Sequence, residues 1–99
     1  QLLLPPGPDS DNLRFDIFQN YEIQAENRDG LREHLSANNV GTIIQWGGWM
    51  LHQFNDLGLR ANAPYAEEMS KRYLMLPMHH MLEDDDVDYV IEQVRAFYA

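Results

Sequence analysis

The sequence predicts a small α/β domain of the α+β type, in which a mixed or antiparallel three-stranded sheet packs with about three helices. Three observations predict it. The chain has 99 residues, 44% of them hydrophobic and eleven of them aromatic, which supplies one modest core. Val87, Val90, Ile91, Val94 and Phe97 recur at the i, i+3, i+4, i+7 spacing that gives a helix one apolar stripe. Short runs of strand character alternate with the helical segments, and a striped helix needs a second layer to cover it.

Residues 1–13 read as a loop or linker leading into a domain over 14–99. Pro5, Pro6 and Pro8 with Gly7, then Asp9-Ser10-Asp11-Asn12, supply turn chemistry without a period. Phe15 to Ala25 alternates as a strand, with Phe15, Ile17, Tyr21, Ile23 and Ala25 on one face. Asp16, Asn20, Glu22 and Gln24 fall on the other. Phe18 and Gln19 interrupt the pattern, which suits a strand covered in part on both faces. Asn27 offers an N-cap to a helix with Leu31 and Leu35 on one side and Asp29 in its first turn, where negative charge suits the dipole. Asn38-Asn39 ends it, since asparagine tolerates the left-handed conformation of a C-terminal cap.

Val40 to Trp46 reads as a second strand, rich in β-branched residues and stopped by Gly47-Gly48. An irregular section follows through Gly58. Asn62 and Pro64 open a second helix, in which Ala66, Met69 and Tyr73 share a face. Leu74-Met75-Leu76-Pro77 reads as a third strand ended by proline. Glu83-Asp84-Asp85-Asp86 place negative charge on the first turn of the last helix. The order is β-α-β-loop-α-β-α, and a compact chain of this length has a radius of gyration of about 13 Å.

Charge excludes several classes of function. A net charge of −9 and a pI near 4.6 repel a phosphate backbone, and no basic patch with interleaved aromatics offsets them, so nucleic acid is not an expected partner. The same balance disfavours anionic membranes, and no apolar run approaches the roughly 20 residues that span a bilayer. Gln1-Leu2-Leu3-Leu4-Pro5-Pro6 has no basic n-region, so no signal peptide is expected and the expected location is cytoplasmic. Without cysteine, neither a disulfide framework nor a thiolate metal site is expected. Gln1 in place of Met is expected of a piece of a longer chain.

Most candidate chemistry reads as ordinary structure. Asp84, Asp86 and Asp88 alternate as in a calcium loop, but Tyr89 stands where that loop needs glycine and Arg95 where it needs glutamate. A dipole-favoured helix start accounts for them. His79-His80 on an extended segment point to opposite sides, and no third ligand stands at a metal-site spacing. His34 reads as a solvent-facing helix residue. Ser10, Ser36 and Ser70 are in no G-x-S-x-G elbow, and Gly47-Gly48 is no phosphate cradle. Gln45-Trp46-Gly47-Gly48-Trp49-Met50-Leu51-His52-Gln53 is the stretch most suited to a ligand. Indole faces, amides and a histidine at a strand end suit a ring or sugar. The alternative, that the tryptophans cap the core, stays open on composition.

A succession of motifs runs from Phe18-Gln19-Asn20-Tyr21-Glu22-Ile23 through Arg28-Asp29-Gly30-Leu31-Arg32-Glu33-His34-Leu35 and Val40-Gly41-Thr42-Ile43-Ile44-Gln45-Trp46 to Leu51-His52-Gln53. Ala66-Glu67-Glu68-Met69-Ser70, Leu74-Met75-Leu76-Pro77-Met78 and Leu82 to Tyr89 complete it. In order and spacing it resembles the C-terminal domain of the DegT/StrS-type nucleotide-sugar aminotransferases. The resemblance implies the small domain of a fold-type I, pyridoxal-phosphate-dependent homodimer that moves an amino group, typically from glutamate, onto a keto nucleotide-sugar. It places the Schiff-base lysine, the aspartate at the pyridine nitrogen and the phosphate groups in an N-terminal large domain. Lys71, the only lysine here, falls on a helix surface, so the chain itself is expected to hold no cofactor and to be non-catalytic alone.

Gln45-Trp46 stand where the family has His-Tyr, and Leu51-His52 match its Leu-His. Gln45, Trp46 and His52 are accordingly the expected substrate-lining residues. Gly47-Gly48 departs from the family's proline-containing loop, and Glu83 from its Ser or Thr helix cap. Two alternatives remain: a stand-alone binding module derived from such a domain, and part of a related dehydratase that has histidine in place of the lysine.

Overall fold

The computed structural model describes residues 1–13 and 15–99. Two of three helices pack on one face of an antiparallel three-stranded sheet of order β1-β2-β3, formed by Leu2–Leu3, Tyr21–Ala25 and Tyr73–Leu76. The helices are α1 (Arg28–Ala37), α2 (Pro64–Ser70) and α3 (Asp84–Tyr98). The predicted class and the number of strands and helices stand.

Register decides which side chains are buried. Tyr21, Ile23 and Ala25 of β2 share a face with Leu76 and Leu74 of β3 and with Leu2 of β1, through the pairs Tyr21↔Leu76, Ile23↔Leu74 and Leu2↔Ala25. That face meets Leu31 and Leu35 of α1 and Val94 of α3, and with them forms the core. Ile23, Leu31, Leu35 and Leu74 are fully buried, each adding about 1.5–3 kcal/mol of burial free energy. Glu22, Gln24, Tyr73 and Met75 occupy the other face.

Several sequence expectations need correction. Residues 1–13 are not all loop, because Leu2 and Leu3 pair with Ala25 and Gln24 while the Gln1 carbonyl accepts Glu26 N–H at 2.8 Å. The expected domain boundary at residue 14 lies outside the described residues. The strand expected over 15–25 starts only at Tyr21, and Phe15 and Ile17 are exposed. Val40 to Trp46 is no strand. Val40 is buried, but its N–H closes the end of α1 on the Leu35 carbonyl at 2.8 Å, and only Ile43 bridges Met75. Tyr73, placed on a helix face by its spacing, starts β3 instead.

The helices follow their caps with local variations. Asn27 precedes α1 in the left-handed region (φ 51°) and makes no side-chain cap. Arg28 compensates, with Nη1 donating to the carbonyls of Ser70 (3.1 Å) and Tyr73 (3.2 Å), so the start of α1 is stapled to the turn before β3. At α3 the Asp86 carboxylate accepts the Glu83 N–H at 3.0 Å, one half of a capping box. Val94 is buried beneath α3, whereas Val87 and Ile91 stay exposed along an apolar groove with Leu76, Pro77 and Met78. His34 is not solvent-facing. Its Nε2 lies 3.1 Å from the Gln93 carbonyl and its ring 5.5 Å from Phe97, joining α1 to α3.

The radius of gyration is 15.5 Å, above the value of about 13 Å expected of a compact chain this long. The excess lies in segments outside the core, where Leu13, Phe15 and Ile17 and the loop tryptophans are all exposed.

Candidate functional site

The uncovered face of the sheet carries the site. Ile43 bridges the outer edge of β3 through Ile43 N–H to Met75 O (3.1 Å) and Met75 N–H to Ile43 O (2.8 Å). From that bridge the chain turns over the sheet as a series of short 3-10 turns, Gln45–Gly48, Leu51–Gln53 and Asn55–Leu57. Trp46, Gly47 and Gly48 have φ of 54°, 65° and 83°, three successive left-handed residues. Glycine takes that conformation freely, while an L-residue such as Trp46 meets a cost of about 1–2 kcal/mol.

Between this loop and the sheet lies a cleft of about 220 Å³, lined by Glu22, Ile44, Gln45, Trp46, Gly48, Met50, Ser70 and Tyr73. Glu22 and Tyr73 come from β2 and β3, and Ser70 from the end of α2. Burial pushes the Glu22 carboxyl above its ordinary value. The Tyr73 hydroxyl is raised first by burial, then by Tyr65 and by the Glu22 charge. Among the described residues the Glu22 carboxylate has no hydrogen-bond or ion-pair partner, while its backbone belongs to the ladder opposite Met75.

The structure brings two of the three expected residues, Gln45 and Trp46, into the cleft lining. His52 is not in it. Its Nε2 lies 2.7 Å from Glu67 Oε1, and the imidazole is 12% exposed against 48% for the carboxylate. Neither tryptophan caps the core: Trp46 is 78% exposed and Trp49 58%, with Trp49 set against Phe54 at 5.9 Å. Glu22, Ser70 and Tyr73 were missed. The alternation of β2 does put Glu22 on the polar face, but nothing local says that a loop covers it.

Other candidates have structural partners. Lys71 is exposed and pairs with Glu68 at 3.5 Å, outside the cleft. His79 Nδ1 accepts the Met81 N–H at 3.3 Å. Among the described residues no group of three His, Cys, Asp or Glu side chains is disposed to hold a metal ion, and no helix is long and apolar enough to cross a membrane.

Comparison with known proteins places this geometry in a family. The sequence profile of the DegT/DnrJ/EryC1/StrS aminotransferase family matches residues 3–95. A pleiotropic regulatory protein of Geobacillus stearothermophilus is 32% identical over 88 residues, covering 86% of this chain and 24% of that protein. A DegT DnrJ EryC1 StrS aminotransferase from Brucella abortus superposes at a TM-score of 0.84 with 28% identity, over 99% of this chain and 26% of its own. The aminotransferase TlmJ from Streptoalloteichus hindustanus gives 0.83 and 28%, over 98% and 26%. The chain thus spans about a quarter of the length of the proteins it matches, and it belongs to the DegT/DnrJ/EryC1/StrS aminotransferase family.

Proposed function

We propose that this chain is the substrate-facing small domain of a pyridoxal-phosphate-dependent aminotransferase that moves an amino group, typically from glutamate, onto a keto carbon of a nucleotide-linked sugar. The observation that carries the reading is the cleft that gathers Gln45 and Trp46 with Glu22, Ser70 and Tyr73, in a chain of an aminotransferase family. Gln45 offers an amide to hydrogen-bond the ligand, and Trp46 an exposed indole face to pack on it. His52 acts one step away, by fixing the loop to α2 through Glu67.

Pyridoxal phosphate supplies the electron sink for amino transfer when bound. The residues of this chain do not fit it. Their one lysine is exposed, paired with Glu68 and absent from the cleft. The imine-forming lysine, the aspartate at the pyridine nitrogen and the phosphate groups belong, in this proposal, to a large domain against which this one closes. A homodimer and a cytoplasmic location are parts of the same proposal.

The test is Trp46→Ala in the assembled aminotransferase. The expected result is a fall in kcat/KM for the sugar substrate of about tenfold, equivalent to about 1.4 kcal/mol of lost contact. An unchanged kcat and KM would remove the loop from the substrate site.

A further inference from the structure

We infer that Glu22 makes this cleft a subsite for the uncharged, hydroxyl-bearing ring of the ligand and turns the phosphate end away. The inference rests on the reading of the cleft as part of a sugar-nucleotide site, and it assigns which end of that ligand the cleft takes.

The lining decides the chemistry. Its polar side chains are a carboxylate (Glu22), a phenol (Tyr73), a hydroxyl (Ser70) and an amide (Gln45), with no lysine, arginine or histidine among them. Ring hydroxyls both donate and accept, and this set offers both in return. A carboxylate is the strongest neutral-hydroxyl acceptor of the four, and that of Glu22 has no hydrogen-bond or ion-pair partner among the described residues.

A phosphate would find the opposite of what it needs. Phosphate sites use cations or a concavity of free backbone N–H groups. Here no cation lines the cleft, and the N–H of Met50 in the loop wall is already held by the Gln53 side-chain oxygen at 2.8 Å. Burial has raised the Glu22 carboxyl, and the Glu22 charge in turn raises the neighbouring Tyr73 hydroxyl. Added negative charge at this spot is therefore unfavourable, in a chain whose net charge is −9.

Size agrees. At about 220 Å³ the cleft is smaller than the roughly 300–1,000 Å³ of pockets that enclose drug-sized ligands, so it has room for one ring and not for a whole nucleotide-sugar. The indole of Trp46, 78% exposed at the mouth, offers the ring an apolar face while Glu22 takes its hydroxyls.

The full 99-residue chain, labelled for amide NMR, is titrated separately with UDP-glucose, with methyl glucoside and with UDP. UDP-glucose and methyl glucoside should shift the amides of Glu22, Gln45, Gly48 and Tyr73 and the Trp46 indole, and UDP should leave them in place. Glu22→Gln, which keeps the side-chain shape, should weaken the UDP-glucose response by about fivefold, the step from a charged to a neutral acceptor. UDP shifting these signals as strongly as UDP-glucose would overturn the inference while leaving the cleft as a ligand site. An unchanged response in a folded Glu22→Gln chain would overturn the role of Glu22. If no probe moves any signal between Ile44 and Gln53, the reading of the cleft as a ligand site falls, and this inference falls with it. The comparison of UDP-glucose with UDP is made on the unmutated chain and stands even if the variant folds poorly.

Discussion

Replacing His52 by alanine should loosen the cleft loop without unfolding the domain. Among the described residues, every other hydrogen bond of residues 45–58 closes within the loop, from Gly47 N–H to Ile44 O through Gly58 N–H to Asn55 O. The His52–Glu67 bond at 2.7 Å is the one that ties the segment to another element, α2. A charge-assisted hydrogen bond shielded from water contributes about 1.5–3 kcal/mol, and a solvent-exposed ion pair about 0.2–1 kcal/mol. With the imidazole 12% exposed and the carboxylate 48%, the pair lies between these limits, at about 1 kcal/mol. Local opening of the loop then becomes about fivefold more frequent.

Hydrogen exchange reads this directly. The amides of Gly47, Trp49, Gln53 and Phe54 should exchange about fivefold faster in His52→Ala, while those of Leu35 and Leu74 in the core keep their rates. Glu67→Ala should give the same pattern, and the double variant little more, since both remove one bond. Unchanged loop exchange in either single variant would refute the tether. Faster exchange at Leu35 as well would show that His52 supports the whole domain and not the loop.

Three further outcomes follow from the same geometry. Leu35→Ala, at a fully buried position among Ile23, Leu31 and Leu74, should cost about 2–5 kcal/mol in urea denaturation, and a loss below about 1 kcal/mol would mean that the core closes up around the gap. Glu22 holds its proton more tightly folded than unfolded, so its contribution to stability is complete at low pH and is lost as pH rises through the raised folded value. Glu22→Gln cannot titrate, so its thermal midpoint should gain on the parent's as pH rises above the ordinary carboxylate value of about 4, and a difference constant in pH would refute the desolvated carboxylate. Trp46→Gly relieves a left-handed backbone at an exposed position, so stability should hold or rise by up to about 1 kcal/mol while the response to UDP-glucose is lost. Thermal denaturation and NMR titration of the same sample separate the two effects, and lost stability would place the indole in the fold and not in the site.

Where local pattern and tertiary burial coincide, the fold was legible. Leu31 and Leu35 stand four apart and are both fully buried, and the stripe of the last helix puts Val94 in the core. Elsewhere the same signals had other causes. Val40 looks like a strand residue because it is apolar and β-branched, yet its burial caps α1. Phe15 and Ile17 alternate correctly for a strand but find no partner, since β3 pairs with β2 only from Tyr21 onward. A two-residue strand such as Leu2–Leu3 has no period to detect. It exists because the edge of β2 at Gln24 and Ala25 is free to pair, a fact of the sheet and not of its own sequence.

The site was legible to the extent that it is a loop and illegible where it depends on what the loop covers. Gln45 and Trp46 announced themselves by residue type beside two glycines, which permit the left-handed turn they stand in. Glu22 sits on the polar face of its strand, and alternation assigns a face without saying what lies opposite. Whether that face meets water or a wall depends on two anchors far apart in the chain. The Ile43–Met75 bridge sets where the loop leaves the sheet, and the His52–Glu67 bond sets where it is held again. With both ends fixed, Gln45, Trp46, Gly48 and Met50 must pass over β2 and β3, and Glu22 becomes the floor of a cleft. The desolvation that raises its carboxyl is the cost of that closure, and a ligand that brings hydroxyl donors to the carboxylate offsets it, whereas one that brings negative charge adds to it.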